Sequence, residues 1–537
     1  MRLKRVTVNT VSASIVAMAG LLVLPSAVFA SPARSHSSNA HPPTLYVGTS
    51  GTNVANNCQN SLNPCQTISF ALSQASIGAT IKVQAGTYNE QVKITQPVTI
   101  MGAGANQTVI EPTSVPLADA DTDGLQPQFY IVDVTGTAGV YLKDLGINGS
   151  AATPSLDTDS FGCGQDYVGV YFHDASGSMT GDTVTGVKMP ADLFGCQGGL
   201  GVYAATDSGS LTPSVLTMTS DNVNNYDKNG ITCDDPGTVC NIKGTTVTGI
   251  GSTTQIAQNG IQIWAASAVV TRNSITDNTY NGAFWAAAGI LIGNPYKLSV
   301  KGNTVTNNDS NISLIQDQDP YWVFCGTPAY PGTCTNPAAA GTTFAITGNH
   351  VNDATNVDTL DNSVGSEFGD GIDLDSITQD TTVSHNVVDN NAGNGIALLG
   401  ATKVSAKKNT VRNDYNGFLL TVGTTAVTAN ANTLQRNRVS SSTNDGFLVT
   451  SSTGGNTIVR NSSSLNSSFD AQDNSTGAGT AGTANMWVAD ACTTSDPSGL
   501  CHIVASAREG GTGSKGHGAA PSGTRRTSAH LRQMVKR

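Results

Sequence analysis

Val383-Ser384-His385-Asn386-Val387-Val388 is followed by Asn394-Gly395-Ile396-Ala397-Leu398, and this pair of short units decides the reading of the chain. Apolar and polar residues alternate in each unit over three to five positions, the mark of a strand with one buried face. Both units recur. The first, V-x-x-N-x-V, returns as Val270-Thr271-Arg272-Asn273-Ser274-Ile275 and Val300-Lys301-Gly302-Asn303-Thr304-Val305. The second, [N/D]-G-[I/F]-x-[L/I/V], returns at Asn229-Gly230-Ile231, Asn259-Gly260-Ile261, Asp370-Gly371-Ile372, Asn416-Gly417-Phe418 and Asp445-Gly446-Phe447. Looser copies start at Gly139-Val140, Gly169-Val170, Gly201-Val202 and Gly289-Ile290.

The offset from the repeat glycine to the following asparagine is steady: 13 for Gly260 to Asn273, 14 for Gly289 to Asn303, and 15 for Gly371 to Asn386. Glycine and asparagine between the units read as turn residues with positive φ. One such rung cannot bury its apolar face alone, so rungs must stack into a coil about 4.8 Å per turn. At these residues the chain resembles the right-handed parallel β-helix, or pectin-lyase-like, superfamily, over about 45–465. The resemblance implies an all-β solenoid. At its start, Asn63-Pro64-x-Gln66 reads as N-cap, first-turn Pro and capping-box Gln of a short helix that covers the open first rung, with Gly78 ending it.

Composition agrees. Only 12% of the 537 residues are charged, and 58 are glycine, which argues against helical bundles and coiled coils. The chain divides into a signal peptide (1–30), a linker (31–44), the β-helix (45–504) and a basic tail (505–537). Arg2, Lys4 and Arg5, the apolar run Ile15 to Leu24, and Val28-Phe29-Ala30 carry the first reading. The prediction is export, with cell-wall association an option, no membrane span and a monomer. The net charge of −11 includes +3 from the leader and +6 from the tail, leaving about −20 on the body. Nucleic acid is therefore excluded as a partner of the body. Ten cysteines predict nearest-neighbour disulfides in an exported chain: Cys58/Cys65, Cys163/Cys196, Cys233/Cys240, Cys325/Cys334 and Cys492/Cys501. A loop insertion is placed at about 310–341 and a C-terminal cap at 485–504.

With the repeat glycine as position zero, positions +1 and +3 point inward and +2 and +4 outward. The outward set on the early rungs holds Lys143, Tyr171, His173, Tyr203, Asp234 and Trp264. A His or Tyr base beside a cation suits proton abstraction next to a uronate carboxylate; stacked surface Tyr with a solvated His is the plain alternative. The later rungs present mostly aliphatics, which need a cover. Asp373 and Asp375 leave one strand on the same side, as an acid and base for a glycosidic bond would. Gly369-Asp370-Gly371-Ile372-Asp373 resembles the Asp-Gly-Ile-Asp stretch of polygalacturonase-type glycosidases, but Gly393-Asn394-Gly395 stands where that family has an Asp-Asp pair. Tyr321 and Trp322 in the insertion are candidates to stack on sugar rings. Asp119-x-Asp121-x-Asp123-Gly124 opens like a calcium loop, with Tyr130 where an EF-hand has Glu. No cofactor is required, and Ca²⁺ is the metal this loop could take. The expected function is to act on or bind a polysaccharide or cell-wall glycan, as a uronate lyase or a glycosidase. The alternative is a non-catalytic adhesive or glycan-binding β-helix.

Overall fold

The computed structural model describes residues 42–115, 128–152, 166–191, 193–196, 198–207, 209–282, 286–316, 342–355, 369–423 and 428–503, with the backbone of 118–119 and 153–154. Three sheets of fifteen strands each run the length of these residues. Every rung passes through them in the same order. In one rung, Gln128–Thr135 lies in the first sheet, Ala138–Lys143 in the second and Gly146–Asn148 in the third. The chain then returns to the first sheet at Asp166–His173 and pairs parallel to Gln128–Thr135. This is the right-handed parallel β-helix that the repeats predict.

The inward positions form one continuous narrow core: Ile231, Ile261, Ile290, Ile312, Ile372, Ile396, Phe418 and Phe447 stack rung on rung, each fully or almost fully buried. Ser310–Ile315, at the front of the expected insertion, is itself a strand of the first sheet.

Both turn residues act differently from the φ-based expectation. Apart from Gly139 (φ 79), the repeat glycines are not in the left-handed region. They are required by close approach: a Cβ at Gly395 would stand 2.3 Å from Val411 Cγ1 and 2.8 Å from the Gly417 carbonyl oxygen. In V-x-x-N-x-V the positive φ belongs to the residue before the asparagine, as at Arg272 (φ 56), His385 (φ 57) and Lys408 (φ 56). The asparagine turns inward and builds a ladder. Asn409 accepts from the backbone and side-chain amides of Asn386 and donates to the side chain of Asn437. Asn437 does the same toward Asn461, and Asn461 toward Asp490. Sequence spacing located these residues; only the stacked rungs assign their work.

The N-terminal helix is Ile68–Gln74, with Ile68, Ala71 and Leu72 buried against the first rungs. Its N-cap is Thr67, whose side chain accepts from Phe70 N at 3.2 Å, and not Asn63. Glu90, from the loop after the first rung's strands, accepts from Ile68 N (2.7 Å) and Ser69 N (2.8 Å) and supplies the negative charge that a helix start favours. The C-cap is Ala75; Gly78 sits in the turn beyond, at φ 78.

Three of the expected disulfides are formed within the described residues, Cys58–Cys65, Cys233–Cys240 and Cys492–Cys501. Cys196 is also disulfide-bonded, and it is buried at 4% exposure against the core. Its expected partner, Cys163, lies outside the described residues. Cys325 and Cys334 both lie outside the described residues. Disulfides of this kind persist in oxidising compartments. No helix among the described residues is long and apolar enough to cross a membrane.

Candidate functional site

The outer face of the first sheet carries the site. Its register aligns Lys93, Asp133, Tyr171, Tyr203, Thr232 and Gln262 in one outward column. Two residues along, Thr135, His173, Ala205, Asp234 and Trp264 form a second. The sequence reading thus places Tyr171, His173, Tyr203, Asp234 and Trp264 on one face as expected. Lys143 is a correction. It pairs with Thr180 and Met101 in the second sheet, because Gly139-Val140 opens a second-sheet strand and not a first-sheet one. The loose Gly-Val unit does not distinguish the two. The first-sheet strand of that rung is Gln128–Thr135, which has no repeat glycine.

Aromatic rings stack along this face. Tyr171 lies parallel to His173 (centroids 5.0 Å apart) and to Tyr203 (5.0 Å). His173 Nε2 lies 2.8 Å from Asp207 Oδ1, and Asp207 N donates to Asp174 Oδ1 at 3.0 Å. This end of the face is closed: Tyr171 is 2% exposed and His173 5%. Tyr203, Asp234, Gln262 and Trp264, on the following rungs, are half-buried and reachable.

Electrostatics single out the open part. Burial pushes the Asp234 carboxyl up to about 7, against a backbone hydrogen bond from Asp235 that lowers it. Burial first, then the charges of Asp234, Asp235 and Asp166, hold the Tyr203 phenol well above its ordinary value. Asp166 is itself raised to about 6 by burial. Tyr203 is therefore a proton donor that keeps its proton, beside a carboxyl that titrates near neutral pH. The site has an acidic surround. Lys93 is on the same face but is held by Asp133 at 2.9 Å. Lys228, before the Asp234 strand, gives a hydrogen bond to Ala257 O, and burial lowers it to about 8.

Asp207, Asp174, Asp166 and the Lys93–Asp133 pair were not foreseen. Asp207 follows its strand in a turn outside any repeat, so spacing gave no signal. Lys93 had one, the alternation Val92-Lys93-Ile94.

The second predicted group lies four strands further on in the same column as Asp234, at Asp375. Asp373 and Asp375 do leave one strand outward, yet they are only 7% and 6% exposed. Ser313 donates to Asp373 (2.7 Å) and Ser376 to Asp375 (2.9 Å). Asp370 points inward and ends an asparagine ladder, accepting from Asn394 N and Nδ2. The late aliphatics are partly covered: Ala397 is buried, Leu419 and Leu448 half-buried. Tyr321, Trp322, Asp121 and Asp123 lie outside the described residues, and of Asp119 only the backbone is described. Among the described residues, one grouping of three side chains offers metal ligands within 4.8 Å of one another, His173, Asp174 and Asp207.

With the fold and face in view, the chain is a right-handed parallel β-helix protein. Residues 333–494 match a family model described as periplasmic copper-binding protein (NosD), under a third of the chain. That stretch excludes the His173 grouping. No curated protein matches the sequence. Among solved structures, the chain is similar to the Dettilon tailspike protein (gp208), at 15% identity over 79% of this chain and 64% of that one, TM-score 0.38. It is similar to the mannuronan C-5 epimerase AlgE4 A-module of Azotobacter vinelandii, at 14% identity over 72% and 86%, TM-score 0.36. It is also similar to the GH136 lacto-N-biosidase of Eubacterium ramulus, at 13% identity over 78% and 64%, TM-score 0.39. The chain thus spans less than two thirds of the tailspike and of the biosidase. These likenesses are too distant to bear on substrate or chemistry.

Proposed function

We propose that this protein binds a polysaccharide along the outer face of the first sheet and acts on it through Tyr203 and Asp234. The observation that carries the reading is the pairing of a reachable phenol with a carboxyl raised to about 7, backed by the Tyr171–His173–Asp207 stack. A carboxyl of that pKa is half-protonated near neutral pH, so it can take or give a proton in either direction. The flat faces of Tyr203 and Trp264 suit the apolar C–H face of a sugar ring. His173 and Asp207 hold the stack in place.

The displacement of Lys143 changes the substrate class. A uronate lyase needs a cation at the substrate carboxylate, and the face offers carboxylates instead. Neutral or amino-sugar glycans fit it better, and a hydrolytic acid–base step fits better than elimination. Calcium held by Asp119, Asp121 and Asp123 would restore charge for a uronate and stays part of the test. Glycan binding without turnover is the second reading, favoured by the closure over His173.

The test is a panel of neutral, amino-sugar and uronate polysaccharides, each with Ca²⁺ and with chelator, read by reducing ends and by absorbance at ~235 nm for unsaturated products. Reducing ends from neutral or amino glycans are expected. Retention without product would favour the second reading. Neither product nor retention on any polymer would refute both.

A further inference from the structure

The corner between the second and third sheets lies across the rod from the first sheet, and its charge is the reverse of the body's. From the rung of Val239–Lys243 to that of Thr457–Val459 there are eight consecutive second-sheet strands. In these rungs the second- and third-sheet strands and the turn between them hold ten Lys and Arg and one acid, Asp389. That acid is taken by Arg412 at 2.7 Å. The whole segment 42–503 has only sixteen Lys and Arg, so the concentration is not an average property of the surface.

Two structural positions create the ridge. The last outward residue of the second-sheet strands supplies Lys243, Lys301 and Lys407. The left-handed turn residue beside it supplies Arg272, Lys408, Arg436 and Arg460, where the backbone projects the side chain away from the core. Six of these seven are exposed and Lys407 is half-buried. None of them is in an ion pair or a side-chain hydrogen bond in the described structure. His385 fills the same turn position on an intervening rung, also exposed. Lys or Arg therefore stands at these positions on six of the eight rungs, three on each side of the adjacent rungs of Phe344–Thr347 and Thr381–Ser384, along a line of roughly 34 Å at about 4.8 Å per rung.

We infer that this ridge binds a linear polyanionic glycan, a single extended chain with one carboxylate, phosphate or sulfate per sugar, laid parallel to the rod. A chain one sugar wide meets one row of cations, set between sheet faces made mostly of Thr, Ser and Asn. A nucleic-acid duplex does not fit so well: its charge density, about one per 1.7 Å, exceeds the ridge's severalfold. Bound this way, the protein would be moored on the side away from the first sheet, leaving that sheet open. The inference is independent of the Tyr203–Asp234 reading.

The experiment measures binding of the full chain to polygalacturonate, dextran sulfate, neutral dextran and duplex DNA across a salt series. The triple variant Lys408→Asn, Arg436→Asn, Arg460→Asn removes three charges, with a residue that tolerates the left-handed backbone. A control removes two charges elsewhere: Lys188→Gln and Lys403→Asn. The expected result is salt-dependent binding of both anionic glycans and none of dextran. The ridge variant should bind at least tenfold more weakly, with the slope of log affinity against log salt reduced by about two to three. The control should stay within twofold, and both should melt like wild type. Ridge and control variants of equal affinity would assign any binding to the basic tail and overturn the inference. So would absence of glycan binding, or preference for the duplex.

Discussion

At the residue scale the account rests on Tyr203 and Asp234. Tyr203→Phe keeps the ring and its stack on Tyr171 but removes the proton. The expected outcome is loss of turnover by about 10²-fold or more with glycan retention unchanged. Tyr203→Ala should lose retention as well, which affinity electrophoresis would read. Asp234→Asn should lower turnover by about 10²-fold or more, and the residual rate should lack the limb of the pH–rate profile near pH 7 that the raised pKa predicts. His173→Ala should lower turnover less than Asp234→Asn, since it acts through the stack. Much of this was legible in the sequence: the alternation put Tyr171, His173, Tyr203, Asp234 and Trp264 on one face. What it could not give was Asp207, which reaches His173 from a turn with no periodicity, or the sheet of Lys143. A glycine-valine pair marks a strand start without saying which of three sheets the strand joins.

At the element scale, the asparagine ladder and the glycine column hold the rungs in register. Asn437 donates to Ala406 O and Asn461 Oδ1 and accepts from Asn409 N and Nδ2, each near 3.0 Å. Asn437→Ala leaves several buried groups without partners. It should cost about 2–4 kcal/mol in chemical denaturation. Asp490 is the last member: its Oδ1 accepts from Asn461 and its Oδ2 from Val488 N, so Asp490→Asn keeps the ladder bonds, loses the bond from Val488 and should cost less than Asn437→Ala. Gly395→Ala forces a methyl into Val411 and the next rung's backbone, and should cost about 1–3 kcal/mol. The sequence placed both residues correctly and misread their roles. Position in a turn is local and visible. Stacking on the equivalent residue 22 to 46 positions away is not.

At the scale of the whole molecule, the low charge content reflects a rod faced with Thr, Ser and Asn, and what charge remains is sorted. Carboxyls gather inside and on the first sheet, cations along the opposite corner. The buried carboxyls have a consequence for pH. Burial raises Asp182 and Asp414 to about 8, Asp227 and Asp309 to about 7, and Asp221 to about 6. In the unfolded chain they ionise near ~4. Between that value and their folded pKa they are protonated in the fold and ionised when unfolded, so unfolding releases protons and stability falls as pH rises. Thermal melts should therefore show a higher midpoint at pH 5 than at pH 8. A midpoint that climbs over this range would mean the carboxylates are ionised and compensated inside.

The most direct test of the central claim is a crystal structure with a neutral or amino-sugar oligosaccharide taken from whichever polymer the protein retains. The account predicts sugar density on the first sheet, stacked on Tyr203 and Trp264, with a glycosidic oxygen within hydrogen-bond reach of the Asp234 carboxyl. Sugar bound only elsewhere on the rod, with Tyr203 and Asp234 bare at saturating ligand, would contradict it.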